Sequence, residues 1–143
     1  MEISVRQISE EDTAAIKFLC EQLGYMQTTG QTRTNIIEVL GNNNHNAFVA
    51  IQSGEVIGWI GVSKVYQIES GSCCEIRGLV VDESKRNKGV GKMLIERAKQ
   101  WAKEKRNTSL RLRCNLKRTE AHVFYEHIGF KEVKEQKVFE IEV

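Results

Sequence analysis

The chain contains no proline, and its 143 residues show no repeat, no low-complexity tract and no stretch that reads as a linker. One domain over residues 1–143 is therefore expected, large enough for a single good core. No apolar run approaches the roughly 20 residues that a membrane span needs, and Glu2 and Arg6 interrupt the first turns, which argues against a signal peptide. Cysteine is sparse: Cys20, Cys73, Cys74 and Cys114 show no C-x-x-C pair and no nearby histidine ligands. Neither zinc nor a disulfide framework is favoured, so no metal is expected, and the cysteines read as buried, reduced thiols of a cytoplasmic protein.

Net charge is also nearly absent, at +2, but it is unevenly placed. Residues 85–118 hold 13 Lys and Arg against two acids, Glu96 and Glu104, while the rest of the chain is acidic. A basic segment suits a polyanion. Nucleic acid is one polyanion, but exposed aromatics do not interleave with these basic residues, Trp101 lying on the apolar face of a helix, so no nucleic acid and no membrane are expected as partners. Most of Arg97–Arg106 reads as a solvated helix face.

What the chain does have is concentrated in Cys73–Arg106. Ile76, Leu79, Val80 and Val81 form a short apolar run that predicts a strand. A basic, glycine-bearing turn follows, Ser84–Gly91, and then a helix with apolar residues at Val90, Met93, Leu94, Ala98, Trp101 and Ala102. A strand feeding through glycines into a helix start can bind an anion. The first helical N–H groups lack internal partners, the helix dipole is positive there, and glycine permits close approach. The turn is not a P-loop, because Arg86 stands where the first glycine belongs and Met93 replaces the magnesium-binding hydroxyl. It is not the dinucleotide fingerprint either, since Leu94 occupies the last glycine position.

The remaining pattern, Arg86-Asn87-Lys88-Gly89-Val90-Gly91, fits [RQ]-x-x-G-x-[GA]. With the run GLVVDESKRNKGVGKMLIERA, then Asn115, then FYEHIGF, the sequence resembles the GNAT N-acetyltransferase superfamily. The resemblance is most specific from Glu75 to Phe130 and weak before Ala47. The periodicities predict a strand at Ile3–Ile8, a helix starting at Ser9–Asp12 with Ile16, Leu19, Cys20 and Leu23 on its buried face, and a second helix near Thr32–Leu40. A hairpin at Ala47–Tyr66 follows, with Gly58 and Gly61 marking a bulge or a close backbone approach. A strand at Cys73–Val81, the long helix Gly89–Arg106, a strand at Ser109–Cys114, a short helix stopped by Gly129, and a closing strand at Lys137–Val143 complete the reading. The fold class is thus α/β (α+β): a mixed, mostly antiparallel central sheet with helices on both faces, in the GNAT-like order β-α-α-β-β-β-α-β-α-β-β.

The resemblance implies acetyl-CoA as co-substrate, with acetyl transfer to a primary amine of a small molecule or of a peptide or protein. The runner-up is a non-catalytic acyl-CoA-binding or regulatory module, which would keep the turn and lose acid and base. The backbone N–H groups of Arg86, Asn87, Lys88, Gly89, Val90, Gly91 and Lys92 are expected on the pyrophosphate, and the strand edge Leu79, Val80 and Val81 on the pantetheine arm. The Val81 N–H is expected to polarise the thioester carbonyl. Asn115 is expected as a polar contact to the cofactor, or else as a turn residue. Tyr125, in Ala121-x-x-Phe124-Tyr125-x-x-x-Gly129-Phe130, is the expected acid for the departing thiolate, the alternative being a core aromatic. Glu75 is the candidate base, the alternative being an exposed acid paired with Arg77; strict alternation puts Glu75, Arg77 and Leu79 on one face. Asn87 departs from a common glycine and Ser84 from a frequent proline, and neither change removes a backbone donor. Tyr25 and Met26, between the first two helices, are the candidate acceptor-binding residues, and a homodimer is an open alternative to a single copy.

Overall fold

In the computed structural model, which describes residues 2–143, the chain runs β1 (Ile3–Gln7), α1 (Thr13–Glu21), α2 (Thr29–Leu40), β2 (His45–Gln52), β3 (Glu55–Gln67), β4 (Gly71–Val81), α3 (Val90–Glu104), β5 (Leu110–Leu112) and α4 (Thr119–His127). It divides into two units, Met1–Arg113 and Cys114–Val143. The first holds one five-stranded sheet in the order β1-β2-β3-β4-β5, antiparallel throughout except for the parallel pair β4–β5.

Strand alternation sends the two faces of this sheet to different helices. On one face, a Cβ added at Gly58 would lie 3.3 Å from both Val90 and Leu94 of α3, so only glycine lets the helix pack this close to β3. Phe48, which pairs with Ile60 on that same face, lies under the guanidinium of Arg97 at 4.2 Å. Arg97 was expected on a solvated face; it instead covers an aromatic ring, as a long cationic side chain can. On the opposite face Val49 and Trp59 pair with each other and join Ile16 of α1 and Ile36 of α2 in an apolar cluster. Leu94 and Ile60 are fully buried, and each such side chain contributes about 1.5–3 kcal/mol.

The helix starts are set by side chains. Ser9 and Asp12 form a reciprocal capping box before α1, and Thr28 and Gln31 form another before α2. The second box starts α2 three residues earlier than Thr32. Asp12 is buried and accepts two hydrogen bonds from Arg6, at 2.8 and 2.9 Å, plus the Ser9 N–H at 2.8 Å. These donors, the Arg6 guanidinium first, hold its carboxyl below the usual carboxylate range despite burial. After α1, Gly24 adopts φ +85° and the Tyr25 N–H returns to the Cys20 carbonyl, which stops the helix.

Two expectations need correction. The strand read at Ser109–Cys114 shortens to Leu110–Leu112, the only stretch whose outer residues meet a β4 partner in register. Taken by itself the second unit contains α4, and Lys137–Val143 forms no ladder within that unit. Alternation makes a segment able to enter a sheet, but a strand exists only through its ladder. Within the second unit residues 131–143 find no second strand, and Val138, Phe139, Ile141 and Val143 are exposed.

Candidate active site

The centre of the first unit's site is an irregularity in β4. Ile76 pairs with Val62 and Gly78 pairs with Gly61, so Arg77 is an extra residue facing no partner of its own. The bulge reverses the alternation beyond it. Ile76 and Leu79 pair with Val62 and Ile60 on the α3 face, whereas Glu75, Gly78 and Val80 pair with Ser63, Gly61 and Trp59 on the α1–α2 face. Leu79 therefore does not share a face with Glu75, contrary to the strict alternation. Arg77 does, its Cβ lying 3.9 Å from a Cβ added at Gly61. Gly78 is required here, because its Cβ would come within 2.6 Å of the Trp59 indole.

Beyond the bulge β4 has a free outer edge. The ladder to β5 covers only Cys74, Glu75 and Ile76. The Asp82 N–H donates to the Ile57 carbonyl at 2.8 Å, which makes Val81 and Gly58 a non-hydrogen-bonded pair. In such a ladder the N–H and C=O of Val81, and of Leu79 two residues earlier, point away from β3. The Val81 carbonyl accepts from Arg86 Nε at 3.3 Å, which ties the following turn to the strand end. Val80, expected in the same binding set, turns its backbone groups toward β3 instead.

The turn itself is built to present donors. Asp82 accepts from the backbone N–H and hydroxyl of Ser84, both at 3.0 Å, and chiefly the backbone bond lowers its carboxyl from the usual range. Asn87 (φ +64°) and Gly89 (φ +83°) are both left-handed, which asparagine tolerates better than most side chains and glycine without strain. The first bond of α3 runs from the Met93 N–H to the Gly89 carbonyl. The N–H groups of Val90, Gly91 and Lys92 therefore lack an intrahelical acceptor, and the helix has no side-chain cap. Nothing lies within 4 Å of a Cβ added at Gly89, and Arg86, Lys88 and Lys92 are exposed around it. Open donors, a positive dipole end and cationic side chains suit a pyrophosphate.

Glu75 is almost completely buried, and both of its carboxylate oxygens are engaged. Arg77 Nη1 donates to one at 2.7 Å and Arg113 Nη2 to the other at 3.2 Å. About half of each arginine side chain stays exposed, 55% and 52%, against 4% for Glu75. Each oxygen accepts from one guanidinium and keeps a second lone pair, and the pairing with Arg77 that was the alternative to a base is present in a buried rather than exposed acid. Arg113 was missed in the sequence. Its signal was the alternation Arg111-Leu112-Arg113 on a strand running parallel to Glu75-Ile76-Arg77.

In the second unit Asn115 opens the turn before α4. Its side-chain oxygen accepts from the Lys117 N–H at 2.9 Å, and its carbonyl accepts from the Arg118 N–H at 3.0 Å, so it is at least a turn residue. Tyr125 is half-buried on α4, packed at 5.4 Å against Phe124 and edge-on at 5.9 Å against Phe130. Burial pushes its phenol above the ordinary value, which keeps it protonated at neutral pH. Gly129 (φ +106°) and the Phe130 N–H bond to the Tyr125 carbonyl close the helix behind it. In the first unit Tyr25 and Met26 lie exposed beside a polar cleft of about 590 Å³ lined by Gln27, Thr28, Gln31 and Asn35 among others. Burial also pushes the Cys20 and Cys74 thiols upward, the opposite of the shift that activates a nucleophile.

Comparison with known proteins bears on the family and the fold. Residues 13–130 match the model of the acetyltransferase (GNAT) family. The chain is 28% identical over 130 residues to an aminoalkylphosphonate N-acetyltransferase of Salmonella typhimurium, covering 90% of this chain and 84% of that one. In fold it is similar to an aminoglycoside antibiotic 6'-N-acetyltransferase from Acinetobacter haemolyticus (TM-score 0.86, 19% identity, 98% and 99% of the two chains). It is also similar to glucosamine-6-phosphate N-acetyltransferase from Arabidopsis thaliana (TM-score 0.85, 21% identity, 99% and 100% of the two chains).

Proposed function

The chain belongs to the acetyltransferase (GNAT) family, and on that premise we propose that it transfers the acetyl group of acetyl-CoA directly to the primary amine of a small molecule. The observation that carries this reading is the uncapped start of α3 behind the left-handed residues Asn87 and Gly89. The N–H groups there, with Arg86, Lys88 and Lys92, would hold the pyrophosphate. The outward amides and carbonyls of Leu79 and Val81 would pair with the pantetheine arm as an added strand does. The curated relative is named for a small amine, which favours a small acceptor over a protein one. The family match runs through both units, which supports one functional domain over 1–143. Reduced thiols support a cytoplasmic location.

In this reading the Val81 N–H stabilises the oxyanion that forms on the thioester carbonyl, and the Tyr125 phenol donates its proton to the departing thiolate. Asn115 would contact the cofactor through its amide nitrogen, its oxygen being used in the turn. The attacking amine arrives neutral and loses its proton to Glu75, directly or through water, each carboxylate oxygen keeping a lone pair beyond its arginine bond. Tyr25 and Met26 border the path of the acceptor.

The test is acetyl-CoA binding together with free-thiol release over a panel of amines. Acetyl-CoA should raise the melting temperature by mass action, and Gly89→Val should weaken binding strongly, because valine cannot hold φ +83° without strain. Unchanged affinity in that variant would remove the turn from the site. Binding without thiol release for any amine would favour a non-catalytic acyl-CoA module.

A further inference from the structure

We infer that Gln22 is a positioning residue that couples the pyrophosphate turn to the loop carrying Tyr25 and Met26, so that bound acetyl-CoA firms the side of the site where the amine arrives. This deepens the acetyl-transfer reading and rests on it. Gln22 is the C-terminal cap of α1, yet its side chain leaves that helix. Its oxygen accepts from the Glu83 N–H at 3.0 Å, across 61 positions of sequence. The same side chain acts on Asp82, whose carboxyl is lowered first by the Ser84 N–H and, among smaller causes, by Gln22. Asp82 and Glu83 are where β4 passes into the turn. The Asp82 carboxylate holds the Ser84 N–H and hydroxyl, and the Asp82 carbonyl accepts from the Lys85 N–H at 2.8 Å, immediately before Arg86.

The backbone of Gln22 lies at the base of the other segment. The Leu23, Gly24 and Tyr25 N–H groups donate to the Cys20, Glu21 and Cys20 carbonyls at 3.0, 3.0 and 3.1 Å, and Gly24 turns the chain at φ +85°. Beyond that base residues 24–30 are all exposed, Tyr25 at 66% and Met26 at 73%, so packing does not fix them. A segment held by a few exposed backbone bonds opens locally at low cost. The Gln22 side chain is not needed to end α1, since these three bonds and Gly24 already do so. It is also the side-chain type that this contact demands. An amide accepts and donates at once; a glutamate would repel Asp82, and a lysine would leave the Glu83 N–H without its acceptor. A ligand that orders the turn lengthens the life of the Gln22 contact, and the ordering carries to the base of the loop.

The experiment follows amide hydrogen exchange in the full chain and in Gln22→Met, each with and without saturating CoA. Methionine keeps the length of the side chain and its helix propensity and removes both polar ends, so the variant should fold, with the melting temperature as the check. In both proteins CoA should slow Val90, Gly91 and Lys92, whose N–H groups would face the pyrophosphate. In the unmodified chain it should also slow Leu23, Gly24 and Tyr25 about fivefold, the scale of one ordinary hydrogen bond. In Gln22→Met that second response should vanish, and kcat/KM for the amine turned over fastest in the panel should fall by about the same factor. A residue that merely stabilised α1 would speed exchange at Leu23, Gly24 and Tyr25 equally with and without CoA. That outcome would overturn the inference, as would equal slowing of these amides in both proteins or none in the unmodified chain, and each leaves the turn as the CoA site. If CoA slows Val90, Gly91 and Lys92 in neither protein, the acetyl-transfer reading fails first and this inference falls with it.

Discussion

Tyr125 is held by ring contacts on both sides, with Phe124 at 5.4 Å and Phe130 at 5.9 Å, and burial keeps its proton on. Removing the hydroxyl alone separates its chemistry from its packing. Tyr125→Phe should leave acetyl-CoA affinity nearly unchanged and lower kcat by about 10²-fold, the low end for acid catalysis. Single-turnover thiol release measures this, and a wild-type rate with chemistry limiting would make the tyrosine a packing residue only. The motif around Tyr125 was legible because it is local, ten residues on one helix and its stop. Glu75 was not. Its burial and its bond to Arg113 depend on a partner 38 residues away, which only the β4–β5 register brings near.

At the scale of the element, Asp12 ties β1 to the start of α1. The carboxylate is buried, takes both forks of Arg6 and closes the capping box with Ser9. Asp12→Asn should cost about 1.5–3 kcal/mol at pH 7, the range for hydrogen bonds to a charged group. Because the folded carboxyl titrates below its unfolded value of about 3.9, its contribution is fully present above that value. It is lost as pH falls through the folded pKa. The gap between denaturant titrations of the two proteins should therefore be widest at pH 7 and narrow as the pH is lowered below about 3.9, and a gap independent of pH would assign the loss to packing. The capping signature at Ser9 was readable as a helix start. The matching box at Thr28 and Gln31 has the same form but was passed over, because no apolar run follows it closely. Helix α3 was the easiest element to read, since Val90, Leu94, Ala98, Trp101 and Ala102 of its predicted stripe are buried, although Met93 is exposed and Ile95, left off the stripe, is buried.

For the chain as a whole, the order of elements from β1 to α4 was legible in the sequence. The signal that located β2, β3 and β4, alternation bounded by turn residues, is equally strong in Phe139, Ile141 and Val143, yet those residues make no ladder within the second unit. Pairing is a property of two segments, and one segment's pattern cannot supply it. Amide hydrogen exchange tests the pairing that was legible. Ile60, Val62, Cys74 and Ile76 in the β3–β4 ladder should be protected to the level of global unfolding. Fast exchange at Ile60 or Val62 would mean that this ladder opens locally.

The bulge at Arg77 also permits a kind of change that substitutions never sample. Deleting the Arg77 codon would make Ile76–Val62 and Gly78–Gly61 adjacent pairs, so every residue from Gly78 to Val81 would keep its β3 partner and its face. The amides of Leu79 and Val81 would still face the open edge. Lineages related to this chain can therefore gain or lose this one residue, whereas an insertion or deletion between Gly78 and Val81 would change which amides face outward and should be purged as if it were a frameshift. The reading frame being protected is that of the sheet.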